Sequence, residues 1–217
     1  MMKLSGAIFD MDGTLIDSLI FWDILWEEFS RRYGYFRPDP EADRTIRTIS
    51  MKNAMYYIHD RFGLGHDGEE LYRLANGMLE AFYEQQVELK PGVMEFLTRC
   101  RALGVKMCVA TATDRYLVDA ALTRCGVRQY FSEIFTCTEV GSGKDEPEIF
   151  RRALAFLGEN RQNTVIFEDA LYAVKTAKAD GFFVCAVYDP HERNADTLRA
   201  LADMYVMGMD EPENNAG

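Results

Sequence analysis

Ala7-Ile8-Phe9-Asp10-Met11-Asp12-Gly13-Thr14-Leu15 stands close to the start of the chain and anchors its architecture. An apolar run ends abruptly in two carboxylates one residue apart, followed by a glycine and a threonine. The apolar part predicts a short buried strand, and the polar part predicts a loop at its carboxyl end. In an open α/β sheet, ligands bind at that edge. Two carboxylates at i and i+2 can share one hard cation, or divide nucleophile and acid/base duties between them. Gly13 lets the backbone turn tightly, and the Thr14 hydroxyl can hold a carboxylate in place. Taken alone, the stretch also suits a surface Asp-Gly turn with no chemistry. The rest of the chain has to decide.

Downstream, Asp17-Ser18 reads as a helix N-cap. The stripe Phe21, Trp22, Leu25, Trp26, Phe29 follows at helical spacing, and most of it is expected to be core. Tyr33-Gly34 ends that helix and Arg37-Pro38-Asp39-Pro40 is a turn. Two more helices are expected near 42–61 and 69–87, with no strand signal between them. A block of helices interrupting an αβ pattern reads as an insert on a sheet domain. Leu89-Lys90-Pro91-Gly92 is the return linker.

Beyond it, strands near 105–110, 133–135, 164–167, 182–187 and 204–206 alternate with helices near 93–103, 115–125, 147–157, 171–179 and 194–202. This predicts an α/β fold: a Rossmann-like, doubly wound parallel sheet covered on both faces, carrying an inserted all-helical domain. The expected boundaries are 1–16 and 89–210 for the sheet domain, 17–88 for the helical insert, and a disordered acidic tail over 211–217.

Composition narrows the function. The net charge of −11 argues against nucleic acid or an anionic membrane as the main partner, since both want a basic face. A phosphorylated metabolite remains compatible, because a local cation can reverse the field in one cleft. Cys100, Cys108, Cys125, Cys137 and Cys185 show no close pair and no zinc-like spacing, as expected of reduced thiols. The chain enters its first strand almost at once and has no membrane-length apolar run, so a cytoplasmic protein is the expectation; the acidic surface favours solubility, and a monomer is expected.

Three further clusters sit at predicted strand ends. Lys106–Ala110 runs into Thr111-Ala112-Thr113-Asp114, where hydroxyls and amides can receive phosphate oxygens or simply cap the next helix. Gly141-Ser142-Gly143-Lys144 precedes Pro147-Glu148-Ile149-Phe150. A lysine beside carboxylates lets a dianionic phosphate approach them, although Lys144 alone is just a loop lysine. Val165-Ile166-Phe167 runs directly into Glu168-Asp169. Paired acids at the end of a buried run call for a cation, so metal binding is the expectation there.

In this order, Asp10-x-Asp12-Gly13-Thr14, Thr111, Lys144 with Pro147 three residues on, and Glu168-Asp169 resemble the four motifs of the haloacid dehalogenase superfamily of phosphatases. The resemblance spans nearly the whole chain. It is greatest to the β-phosphoglucomutase-like and phosphoglycolate-phosphatase-like branch, which carries a helical cap after the first motif.

The resemblance implies an aspartyl-phosphate mechanism, with Asp10 as nucleophile and Asp12 as acid/base. It also implies Mg²⁺ held by Asp10, the Asp12 main-chain carbonyl and Asp169, with Glu168 a direct ligand or one shell out. Thr111 and the Ala112 amide would hold the phosphoryl oxygens, and Lys144 would neutralise charge. Trp22 and Lys52 are the candidate substrate contacts in the cap.

A phosphomutase is the competing enzyme class. Similar mutases carry a cap histidine and arginine where this chain has Trp22 and, near Met51, Lys52; that departure favours hydrolysis of a small phosphomonoester. His59, His66 and His191 are not expected to be catalytic. A silent, non-enzymatic member of the superfamily would lack the nucleophile or the metal acids, and here all are present. Dehalogenation needs no such acid cluster.

Overall fold

The computed structural model describes residues 4–46, 49 and 51–210. The tail predicted over 211–217 lies outside the described residues. Two compact units form: Met1–Leu19 with Val87–Gly217, and Ile20–Gln86.

The first unit is built on β1 (Gly6–Phe9), every residue of which is buried. A strand covered on both faces by helices needs apolar residues at consecutive positions, and the sequence supplies them. β1 pairs in parallel with β2 (Lys106–Thr111) on one side and β4 (Thr164–Glu168) on the other. The full order is β3-β2-β1-β4-β5-β6, with β3 at Ile134–Thr136, β5 at Phe183–Val187 and β6 at Met204–Val206, all parallel. The six predicted strands are thus found. The order reverses direction at β1, which opens a crevice beyond its carboxyl end. Register aligns Phe9 with both Val109 and Phe167, so Asp10 and Glu168 leave the sheet side by side.

On one face, Phe9 stacks on Phe167 at 4.6 Å and meets Phe96 and Phe131 edge-on. Phe96 belongs to α5 (Val93–Ala102), and α6 (Arg115–Arg124) follows β2. On the other face, Ile8, Cys108, Ile166 and Val184 pack with Ile149, Phe150 and Ala153 of α8 (Glu148–Leu157) and with Ala173, Val174 and Ala177 of α9 (Leu171–Ala179). A four-residue helix α7 (Cys137–Val140), which carries no periodicity to read, follows β3, and α10 (Ala195–Leu201) precedes β6. All five cysteines are free thiols.

The second unit contains α1 (Phe21–Tyr33), α2 (Pro40–Ile46), α3 (Met51–Phe62) and α4 (Gly68–Gln85). The single helix expected over 42–61 is therefore two. Phe21, Leu25, Trp26 and Phe29 are buried, and Trp26, Phe29, Phe36 and Phe62 form a contiguous aromatic core. α3 and α4 approach so closely that a Cβ on Gly68 would lie 2.8 Å from the Tyr56 Cα. The predicted Asp17-Ser18 cap is not a cap. α1 starts at Phe21, is preceded by Ile20 in helical conformation, and takes no side-chain capping bond. Ser18 spends its hydroxyl on Asp12 instead. Among the described residues, no helix is long and apolar enough to cross a membrane.

Candidate active site

The ends of β1 and β4 bring three acids together. Asp10, Glu168 and Asp169 are buried and each offers a carboxylate oxygen within 4.8 Å of the others. Lys144, reached through β3 and α7, is 3% exposed; its ammonium donates to Asp10 Oδ1 and, at 2.8 Å, to Glu168 Oε2. It is not the exposed loop lysine that the sequence also allowed, although its neighbours Asp145 and Glu146 are exposed. Asp169 Oδ1 accepts from the Thr14 hydroxyl at 2.9 Å.

The charges do not balance within this group. Burial, and then the Glu168 carboxylate, push Asp10 up to about 8 against the opposing pull of Lys144. Burial also raises Glu168, and burial followed by the Glu168, Asp10 and Asp189 charges drives Asp169 well above the usual carboxylate range. Burial works to lower Lys144, but Asp10 and Glu168 outweigh it and hold the ammonium well above the usual lysine range. One ammonium among three carboxylates leaves negative charge that a cation would neutralise. An all-oxygen donor set is the kind that Mg²⁺ takes, so the residues fit the ion.

Gly13 is required where it stands. Its φ is +80°, and a Cβ there would lie 2.4 Å from Asp169 Oδ2. The Asp12 carboxylate is not one of the three. Its Oδ1 accepts from the Ser18 hydroxyl at 2.6 Å and its Oδ2 from the Thr113 hydroxyl at 2.7 Å. Thr111 is buried at the end of β2, where its Oγ1 accepts from the Thr113 amide at 3.1 Å, and Ala112 beside it is exposed. Asp114 stands at the N-cap of α6 without capping it; its carboxylate takes the Thr138 hydroxyl.

Asp10, Asp12, Thr111, Ala112, Lys144, Glu168 and Asp169 all belong to the sheet unit, whereas Trp22 and Lys52 belong to the helical one. There Trp22 is half-buried, 5.4 Å from the Trp26 ring, and Lys52 holds its ammonium 6.0 Å from the Tyr56 ring and 5.8 Å from Tyr72. His59 Nδ1 bonds to the Leu64 carbonyl, a structural role.

Sequence reasoning missed Ser18 and Thr113 as partners of Asp12, and it missed the buried ion pair of Lys90 with Asp189 at 2.9 Å. It also missed Tyr172, whose hydroxyl is pushed up by burial and feels Lys144 and all three acids. Asp189 had a usable signal: like Asp10 and Glu168, it is an acid close to the carboxyl end of a buried strand.

Residues 7–187 match the profile described as haloacid dehalogenase-like hydrolase. The chain belongs to that family. As a haloacid dehalogenase-like hydrolase it is an enzyme, and several of its curated relatives are named as phosphatases. It is 28% identical over 191 residues to the validoxylamine A 7'-phosphate phosphatase of Streptomyces hygroscopicus subsp. limoneus, covering 87% of this chain and 88% of that one. It is 25% identical over 211 residues to hexitol phosphatase B of Escherichia coli K12, covering 96% and 94%. The structure of CbbY from Rhodobacter sphaeroides in complex with phosphate superposes with a TM-score of 0.79 at 23% identity, covering 96% of each chain. That likeness extends the family's parallel-sheet fold to this chain.

Proposed function

We propose that the chain is a Mg²⁺-dependent phosphomonoesterase acting on a small phosphorylated sugar or polyol. The observation that carries this reading is the buried group of Asp10, Glu168 and Asp169 with Lys144 bound to two of them. The hexitol phosphatase relative supports a polyol or sugar ester over the other phosphomonoesters.

In this mechanism an Asp10 carboxylate oxygen attacks phosphorus in line, and the bond from phosphorus to the leaving oxygen breaks. Asp12 gives that oxygen its proton, so the alcohol departs neutral and Asp10 carries the phosphoryl group. Water then attacks phosphorus and yields its proton to Asp12, which restores Asp10 and releases inorganic phosphate. Ser18 and Thr113 hold the Asp12 carboxylate by both oxygens. Thr111 and the Ala112 amide receive phosphoryl oxygens at the head of α6, and Lys144 offsets charge on Asp10. Asp10, the Asp12 main-chain carbonyl and Asp169 would hold Mg²⁺, with Glu168 a ligand or one water removed. When bound, the ion spreads the charge of the transferring group.

Residues 17–88 are assigned the part of a substrate-selecting cap, in which Trp22 and Lys52 read the portion of the substrate that does not react. An indole at position 22 keeps its N–H and does not exchange a proton near neutral pH as an imidazole would, which favours hydrolysis over transfer between sugar hydroxyls. We place the enzyme in the cytoplasm as a monomer; free thiols throughout and an acidic surface support that assignment.

The test is phosphate release from hexose, hexitol and aryl phosphates, phosphoglycolate and nucleotides, with Mg²⁺ and again with EDTA. Mg²⁺-dependent release with a sugar or polyol ester preferred is the expected result. Consumption of β-glucose 1-phosphate without release would favour the mutase, and silence on every ester would overturn the hydrolase.

A further inference from the structure

The sequence presents Lys90 as an ordinary linker residue. The structure leaves it 8% exposed and uses all three of its ammonium donors. They go to the Gly13 carbonyl at 2.6 Å, the Tyr188 carbonyl at 2.6 Å and Asp189 Oδ2 at 2.9 Å. The main chain is tied to the same loop, since Lys90 N donates to the Leu15 carbonyl at 3.0 Å and Leu89 bridges Ile16. The Asp189 side chain is fully buried, and its Oδ1 accepts from the His191 amide at 2.8 Å and from His191 Nδ1 at 3.0 Å.

With every Lys90 donor used, the lysine is not a ligand site. A buried ion pair also adds little net stability compared with apolar residues of the same size. What Lys90 does is fix a carbonyl. That carbonyl belongs to the peptide joining Gly13, the residue with the freest backbone, to Thr14, whose hydroxyl holds Asp169 at 2.9 Å.

We propose that Lys90, held by Asp189, is a positioning residue for Asp169: it sets the Gly13–Thr14 peptide so that the Thr14 hydroxyl stays on that carboxylate. Lys90 touches no reacting atom. Groups that orient a metal-binding carboxylate typically govern about 10–100-fold in metal affinity or activity. The activity part of the test rests on the phosphatase reading; the metal-binding part does not.

The experiment compares wild type, Lys90→Met, and Lys90→Met with Asp189→Asn. The single variant strands the Asp189 charge and loses stability along with function. The double variant strands none, so its melting temperature returns toward wild type while Gly13 still lacks its donor. The expected result for the double variant is kcat down about tenfold with KM unchanged, and Mg²⁺ affinity by calorimetry on the metal-free protein weaker by about tenfold. Wild-type kcat and Mg²⁺ affinity in the double variant would overturn the proposal. So would a double variant that melts no better than the single one, because the pair would then be a purely structural element. If wild type itself released no phosphate, the phosphatase reading would fail while the calorimetric comparison still decided this one.

Discussion

Replacing Lys144 by Met removes one charge and keeps most of the side-chain length. The ammonium lies on Asp10 and 2.8 Å from Glu168 Oε2, with almost no access to solvent. Breaking a buried pair of this kind costs about 3–5 kcal/mol while the stranded carboxylates stay charged. They can escape by keeping a proton, and Asp10 is already pushed up to about 8 with Lys144 in place. Without the lysine its pKa rises further, and a carboxyl raised in the folded state loses stability as pH rises toward that value. The loss in the metal-free variant is therefore larger in mildly alkaline than in mildly acidic buffer. For catalysis, losing one preorganised charge contact to the transition state costs about 10²–10³ in kcat, or roughly 2.7–4 kcal/mol. Thermal melts at two pH values and phosphate release at saturating Mg²⁺ read both effects. A Lys144→Met enzyme with wild-type turnover, or a melting deficit that shrinks as pH rises, would rule out this role for the lysine.

Thr14→Val keeps shape and deletes the hydroxyl held 2.9 Å from Asp169, so Mg²⁺ affinity by calorimetry falls about tenfold; unchanged affinity would count against that contact. Gly13→Ala puts a methyl 2.4 Å from Asp169 Oδ2 at a φ of +80°, and the expected outcome is loss of phosphate release, with full activity as the contrary result. Burial pushes the Asp10 carboxyl from its ordinary 3.8 up to about 8 in the folded protein, so between those values the folded metal-free protein keeps a proton that the unfolded chain has lost. Its stability falls as pH rises through that window. Mg²⁺ displaces the proton, so the rise in melting temperature on adding saturating Mg²⁺ grows across the same window; a flat increment would contradict the assignment.

How much of this could be read from the chain depends on how local each cause was. β1 and β4 were legible because buried parallel strands need consecutive apolar residues, and the acids that follow Phe9 and Phe167 mark their carboxyl ends. That Asp10 and Glu168 emerge side by side follows from register, which no local pattern encodes. Lys144 was visible in order but not in burial, since its exposed neighbours disguise a side chain that dives under them. Ser18 misled because a hydroxyl just before an apolar stripe suits a cap as well as a carboxylate partner. Lys90 was invisible, because its carbonyl partners lie 77 and 98 positions away and its ion-pair partner 99. The split between α2 and α3 was missed because the apolar spacing over 42–61 carries no Gly or Pro to mark it.

Asp10→Asn asks whether Asp10 is the nucleophile of a Mg²⁺-dependent phosphatase. The amide keeps the size of a carboxyl that burial already disfavours as a charge, so the variant folds and melts at least as high as wild type without metal. The measurement is phosphate release from the preferred ester by the two proteins, side by side in Mg²⁺. With Asp10 as the nucleophile, wild type turns over and the variant loses about 10³-fold or more, as expected for removal of a covalent nucleophile. A folded Asp10→Asn protein that releases phosphate at the wild-type rate would contradict that role.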